Sequence, residues 1–296
     1  MFKVSGVAKC ELGCTIKKYL LGVFLTTGAK YEGLDEKDNC ITALYTALMS
    51  FSAAFAVPVM GHDPYPVKPG GNTPIPQDTD TPEQPLKDVI IGIDPGHQLK
   101  ADSGQEQISP NDEKTTKDRM TRGCTGVRSG VNEYDVNLAV SVKLMALLQD
   151  AGATVVMTRT KNDVSVSNKE RAEMMNDAGV DFWIRIHRNS STSKLTEGAL
   201  VIAPSKQMTI GAQSEALGKA LLDEFCAATG AINRSVIYSA SQTGFNWSDS
   251  PVVTVEMGYH SNPQEDTKLC RASYQDACAA GIYNGIIKYM NGRDEQ

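Results

Sequence analysis

The stretch Val89-Ile90-Ile91-Gly92-Ile93-Asp94-Pro95-Gly96-His97 is an unbroken apolar run stopped by a turn. With no polar alternation it offers no face to water, so it reads as a buried strand that Asp94-Pro95-Gly96 ends in a loop. From Asn132 a helix begins, with Val136, Val140, Leu144 and Leu147/Leu148 spaced at three and four, and Gly152 supplies a left-handed cap. Thr154–Met157 follows as a strand. Ser167-x-x-Glu170 is a capping box that opens a helix to about Ala178. Strands are then expected at Asp181–Ile186, Gly198–Ala203, Val236–Ser239 and Pro251–Val255. Between them lies a helix marked by Leu217, Leu221 and Phe225, ended by Gly230. A last helix carries Tyr274, Cys278, Ile282, Ile286 and Tyr289 on one stripe.

Strands and helices alternate, which implies an α/β domain with a central, largely parallel sheet covered on both faces. In such folds ligands bind beyond the carboxyl ends of the strands. His97 follows the first strand and His187 follows Asp181–Ile186. Glu256 ends the Pro251–Val255 strand, and Glu133 opens the helix after a long polar loop. Two imidazoles and two carboxylates at one rim are the ingredients of a hydrolytic zinc site, which uses three protein ligands and leaves one position for water. A neighbouring carboxylate then takes the water's proton. A single loop histidine or a glutamate in a first helical turn would mean little alone, since the macrodipole favours the latter. An acid ending so apolar a strand as Glu256 does needs a partner.

The 296 residues are 41% apolar and 22% charged, the balance of a soluble globular chain. The net charge of −6 argues against a nucleic-acid partner, which would require a cationic face. Seven cysteines are scattered without a C-x-x-C pair, so neither a zinc ribbon nor a disulfide scaffold is implied. No G-x-S-x-G elbow supports a serine nucleophile.

The ordered series Asp94-Pro95-Gly96-His97, Glu133-Tyr134-Asp135-Val136-Asn137-Leu138, Val156-Met157-Thr158-Arg159, Glu170-Arg171, Ile186-His187-Arg188-Asn189 and Val255-Glu256-Met257-Gly258-Tyr259-His260-Ser261-Asn262 resembles the type 3 catalytic domain of zinc-dependent N-acetylmuramoyl-L-alanine amidases. The match spans residues 88–291 in order. It implies a mixed six-stranded α/β sheet, one Zn²⁺ held by His97, Glu133 and His187, and Glu256 as the catalytic carboxylate. It further implies a peptidoglycan hydrolase exported to the outer side of a bacterial membrane. Arg185, Asn189 and His260 are further candidates for substrate contact. Two other readings use the same features: a different metal-dependent amide hydrolase, such as a deacetylase or peptidase, and a non-catalytic wall-binding homologue. The last usually requires a lost ligand or acid, whereas all four positions are filled here.

Three departures from the family pattern stand out. Gln98-Leu99-Lys100 replaces two glycines, and thirty-five residues separate His97 from Glu133, about twice the usual gap. This polar insertion, with Cys124 in it, is expected to rim the cleft. Arg185 stands where the family commonly has serine. Strand alternation aims it toward the metal's side, either as a buried ion pair or as a ligand for a stem-peptide carboxylate. His260 either makes a loop hydrogen bond or orients substrate.

Upstream, residues 57–87 hold eight of the thirteen prolines and read as an extended spacer. Ile41 to Met60 carries no charge and includes Ala54-Phe55-Ala56, a signal-peptidase-like pattern. Residues 1–56, with the stretch 41–56, are therefore expected to export the chain or tether it to a membrane, the alternative being that 41–56 is an amphiphilic helix of a soluble N-terminal segment.

Overall fold

The continuous apolar run that opens the domain lies inside a sheet, one strand in from the edge, where both faces are covered. The computed structural model describes residues 84–293; the export and tether stretch 1–56 and most of the 57–87 spacer lie outside them. Residues 84–87 form a turn in which Leu86 is fully buried, its amide bonded to the Ala151 carbonyl. The strands are β1 (Ile90–Pro95), β2 (Asp102–Ser109), β3 (Asp112–Met120), β4 (Thr154–Met157), β5 (Phe182–Asn189), β6 (Ala199–Pro204), β7 (Asn233–Ser239) and β8 (Val252–Tyr259). The helices are α1 (Glu133–Asp150), α2 (Asn168–Asp177), α3 (Gly211–Thr229), α4 (Thr243–Asn246), α5 (Pro263–Leu269) and α6 (Ala272–Arg293).

Six strands form one sheet in the order β4-β1-β5-β8-β6-β7. All neighbours run parallel except β6 and β8, so the sheet is mixed. Alternate residues of β5 serve two cores. Phe182, Ile184 and Ile186 pack with Val140, Leu144, Leu217, Leu221, Ile282 and Ile286 beneath α1, α3 and α6. Trp183 packs on the other side with Ala172, Met175 and Phe245 from α2 and α4. Both faces are covered at the amino ends of β5 and β8 and along β1, which is why these stretches are apolar without alternation. Further along β5 and β8, Arg185, His187, Thr254 and Glu256 face a cavity.

Local signals set the helix ends. Ser167 and Glu170 make both halves of the capping box, at 3.1 and 2.7 Å. Gly152, at φ 95°, turns the chain out of α1 as the cap position requires. Among the described residues all four cysteines are free thiols, and Cys278 is buried in the core where its stripe placed it.

The stretch expected as a long polar loop before Glu133 is in large part a β-hairpin. β2 and β3 pair antiparallel as a separate two-stranded sheet, with Glu106 opposite Lys117. Its residues are mostly exposed and polar, so it lacks the hydrophobic alternation that would announce it.

Candidate metal centre

The carboxyl ends of β1, β5 and β8 and the first residue of α1 meet at one point. His97 leaves β1 with φ 62°, a left-handed conformation that costs a β-carbon residue of order 1–3 kcal/mol. The surrounding hydrogen bonds hold it there. Arg171 donates to the Pro95 and His97 carbonyls at 3.0 and 3.2 Å. Arg159 donates to the carbonyls of Pro95, Gly96 and Tyr134 at 2.8, 3.0 and 2.9 Å, tying the loop after β1 to the start of α1. The Thr-Arg and Glu-Arg motifs of the sequence thus build the support beneath the site. Gln98, in place of a glycine, is fully buried and accepts from Arg171 and from the Val166 amide.

His97 Nε2 and His187 Nδ1 each lie 3.3 Å from Glu133 Oε1. The two rings stand edge to face with centroids 4.8 Å apart. The other nitrogen of His97, Nδ1, is 3.0 Å from the Thr121 carbonyl. The Thr121 hydroxyl lies at the same 3.0 Å, and with the carbonyl as acceptor a neutral ring would offer its Nε2 lone pair to a cation beside Glu133. Thr121, at the end of the hairpin, is a supporting residue that no sequence signal identified. Glu133 accepts from the Arg188 amide on Oε1 and the Cys124 amide on Oε2, both at 3.1 Å.

The electrostatics match the demands of a cation. Burial would raise the Glu133 carboxyl, but the His187 and His97 imidazoles outweigh it and hold it well below the usual range. Burial pushes His187 down to about 4, with further depression from His97 and Arg185 against the pull of Glu133. The set is therefore one carboxylate and two imidazoles, His187 neutral at physiological pH, with donor atoms all within 4.8 Å of one another. That is the protonation state and donor chemistry a divalent metal requires. These residues fit such an ion.

Glu256 sits opposite His187 in the β5–β8 register and borders the same cavity, about 660 Å³, as His97 and His187. Its Oε2 is buried and has no hydrogen-bond partner among the described residues. Burial, with Glu133 adding to it against Arg185, pushes its carboxyl up to about 8. A cation at the three-ligand site acts in the opposite direction.

The further candidates separate. Arg185 borders the cavity, yet its Nε donates to Asp94 at 2.9 Å, its Nη1 to Gln242 at 3.0 Å and its Nη2 to Asn168 at 2.9 Å. Of its two sequence readings, the geometry favours the ion pair. Asn189 accepts from the Ser190 amide with its side chain and from the His260 amide with its carbonyl, away from the cavity lining. His260 is 4% exposed and lies behind Glu133, beside Cys124, outside that lining.

Gly96 presses directly on a candidate ligand. A β-carbon at this position would stand 2.3 Å from Cε1 and Nε2 of His187. Gly96→Ala is expected to displace that ring and weaken metal binding by roughly 10- to 100-fold, the range seen when support around a ligand is lost. Competition titration against a chromophoric chelator measures it, and an unchanged affinity would contradict the placement of His187.

Residues 91–288 match the family model described as N-acetylmuramoyl-L-alanine amidase. The N-acetylmuramoyl-L-alanine amidase LytC of Bacillus subtilis is 28% identical over 74% of this chain, which spans 39% of that protein's length. The germination-specific N-acetylmuramoyl-L-alanine amidase of the same organism is 27% identical, covering 71% of this chain and 84% of the relative. In fold, the N-acetylmuramyl-L-alanine amidase Ami1 of Mycobacterium smegmatis superposes with a TM-score of 0.65 at 21% identity, over 70% of this chain and 99% of that one. With the sheet order, the converging donors and a family match across most of the chain all in place, this chain belongs to the N-acetylmuramoyl-L-alanine amidase family.

Proposed function

We propose that the chain hydrolyses the amide joining the lactyl group of N-acetylmuramic acid to L-alanine in peptidoglycan. His97, Glu133 and His187 would hold one zinc ion. When bound, that ion supplies Lewis acidity toward the scissile carbonyl and toward water. The observation that carries the reading is the buried, unpartnered Oε2 of Glu256 on the cavity that His97 and His187 also line. Glu256 accepts a proton from the attacking water as its oxygen bonds to the carbonyl carbon. It then returns that proton to the alanine nitrogen as the C–N bond breaks, so the products are a free amine and a lactyl carboxylic acid, whose remaining proton the amine takes up in water. Arg185, tied to Asp94 beneath the site, keeps a positive charge beside the Glu256 carboxylate. The chain's place is then outside the cytoplasmic membrane, reached through the apolar stretch 41–56 and the proline-rich spacer. Among the described residues no helix is long and apolar enough to cross a membrane.

Digestion of whole peptidoglycan is expected to release new alanine amino termini, without new reducing sugars and without acetate. Chelation stops the release, and added zinc restores it. Reducing ends would make the protein a glycosidase, and acetate a deacetylase; either product ends this reading.

A further inference from the structure

We propose that Lys117, on the β2–β3 hairpin, binds a carboxylate of the peptide that follows the scissile bond, so that the site prefers acidic stem peptides. The inference rests on the amidase reading above and names a specificity-determining residue for it.

The hairpin fills the long gap between His97 and Glu133 and forms one wall of the cavity that His97, His187 and Glu256 border, contributing Gln105, Thr116, Lys117, Asp118 and Met120. It is pinned at several points. Trp247 Nε1 donates to the Gln107 carbonyl at 3.0 Å, and Asn246 Nδ2 donates to the Ile108 carbonyl at 3.0 Å. Asn168 Nδ2 donates to the Arg119 carbonyl at 2.7 Å, the Lys169 amide donates to Glu106 at 3.1 Å, and Arg119 pairs with Glu170 at 2.9 Å. A wall fastened to both α2 and α4 presents its side chains at set positions, as specificity requires.

Two cations face this space. Arg185 has three of its guanidinium nitrogens engaged by Asp94, Gln242 and Asn168. Lys117 is half-buried, and among the described residues no carboxylate lies within 4.0 Å of its ammonium. Burial and the nearby Arg185 both disfavour its charge, with only the cross-strand Glu106 opposing them. Asp118, the acidic neighbour on the same wall, already accepts from Gln105 at 2.7 Å. A cation partly withdrawn from water beside a second cation is costly until an anion arrives. Its flexible stem lets one point charge meet a carboxylate without demanding a planar fork.

The probes are N-acetylmuramoyl-L-alanyl-D-glutamic acid and its bis-carboxamide, given to the zinc-loaded protein. The wild type is expected to show a KM roughly tenfold lower for the acid, the scale of one charge-assisted hydrogen bond at a partly exposed site. Lys117→Gln brings the ratio near one. Lys117→Arg keeps most of it, and so does Lys114→Gln on the exposed part of the same hairpin. Because damage to the fold or to the metal would slow both probes alike, the ratio separates recognition from structure. A wild-type ratio near one, or a ratio retained in Lys117→Gln, overturns the proposal. If the wild type hydrolyses neither probe, the amidase reading fails instead, and calorimetric titration with the same two probes then gives the affinity ratio by which Lys117 is judged.

Discussion

Glu256→Gln is expected to lower kcat by roughly 10²- to 10⁴-fold, the range for loss of a positioned general base, while zinc stays bound at one ion per chain. The amide keeps the shape of the side chain but cannot take a proton from water. His97, Glu133 and His187 approach one another through their own supports, namely Thr121, the Cys124 and Arg188 amides, and the loop after β1. None of these involves the Glu256 side chain, so binding and turnover come apart. Glu133→Gln should behave oppositely and lose metal first, because it removes the one charged donor of the set. Metal content by elemental analysis and turnover of a muramoyl dipeptide distinguish the two variants. Retained turnover in Glu256→Gln would remove Glu256 from the chemistry.

The largest stability effect is expected at Asp94. Its carboxylate is fully buried and accepts from Arg171 at 2.6 Å, Arg185 at 2.9 Å and Thr158 at 2.6 Å. Asp94→Ala leaves two guanidinium groups at the base of the site without their counter-charge. Breaking a buried pair from one side costs about 3–5 kcal/mol, which for a domain of this size is roughly 10–15 °C in Tm. Asp163→Ala removes the exposed partner of Lys100 and should cost less than about 1 kcal/mol. Comparable losses at the two positions would refute the account.

The pH dependence follows from the same network. Burial raises the Asp94 carboxyl, but Arg171, Arg185 and Thr158 outweigh it and hold it far below its ordinary 3.8. The stabilisation is therefore full above about pH 4 and is withdrawn as pH falls from there through the native value. Wild-type Tm should drop more steeply below pH 4 than that of Asp94→Asn.

Much of the domain was legible because its signals are local. β1 and β5 announce themselves as apolar runs, α1 by its spacing of three and four, and α2 by a capping box. The site was legible for a related reason: each candidate ligand stands at an end of such an element, His97 two residues past β1, His187 near the carboxyl end of β5 and Glu133 at the first residue of α1. The hairpin was not legible. Its strands DSGQEQIS and DEKTTKDRM bury almost nothing of their own. They are held by backbone pairing and by hydrogen bonds to α2 and α4, some 50 to 140 residues away in sequence. Helix α5 was also passed over, although Asn262-Pro263 is a cap followed by proline at its first turn.

By itself, then, the sequence determined which segments become strands and helices, and which side chains stand at the strand ends. Periodicity and caps act within a few residues, and no distant partner is needed to read them. Only the tertiary structure decided the antiparallel turn of β6 against β8, the commitment of Arg185 to Asp94, the support of His97 by Thr121, and the wall that carries Lys117. Each of these depends on which groups a buried charge or an unpaired backbone finds across the fold, and that choice is made by packing.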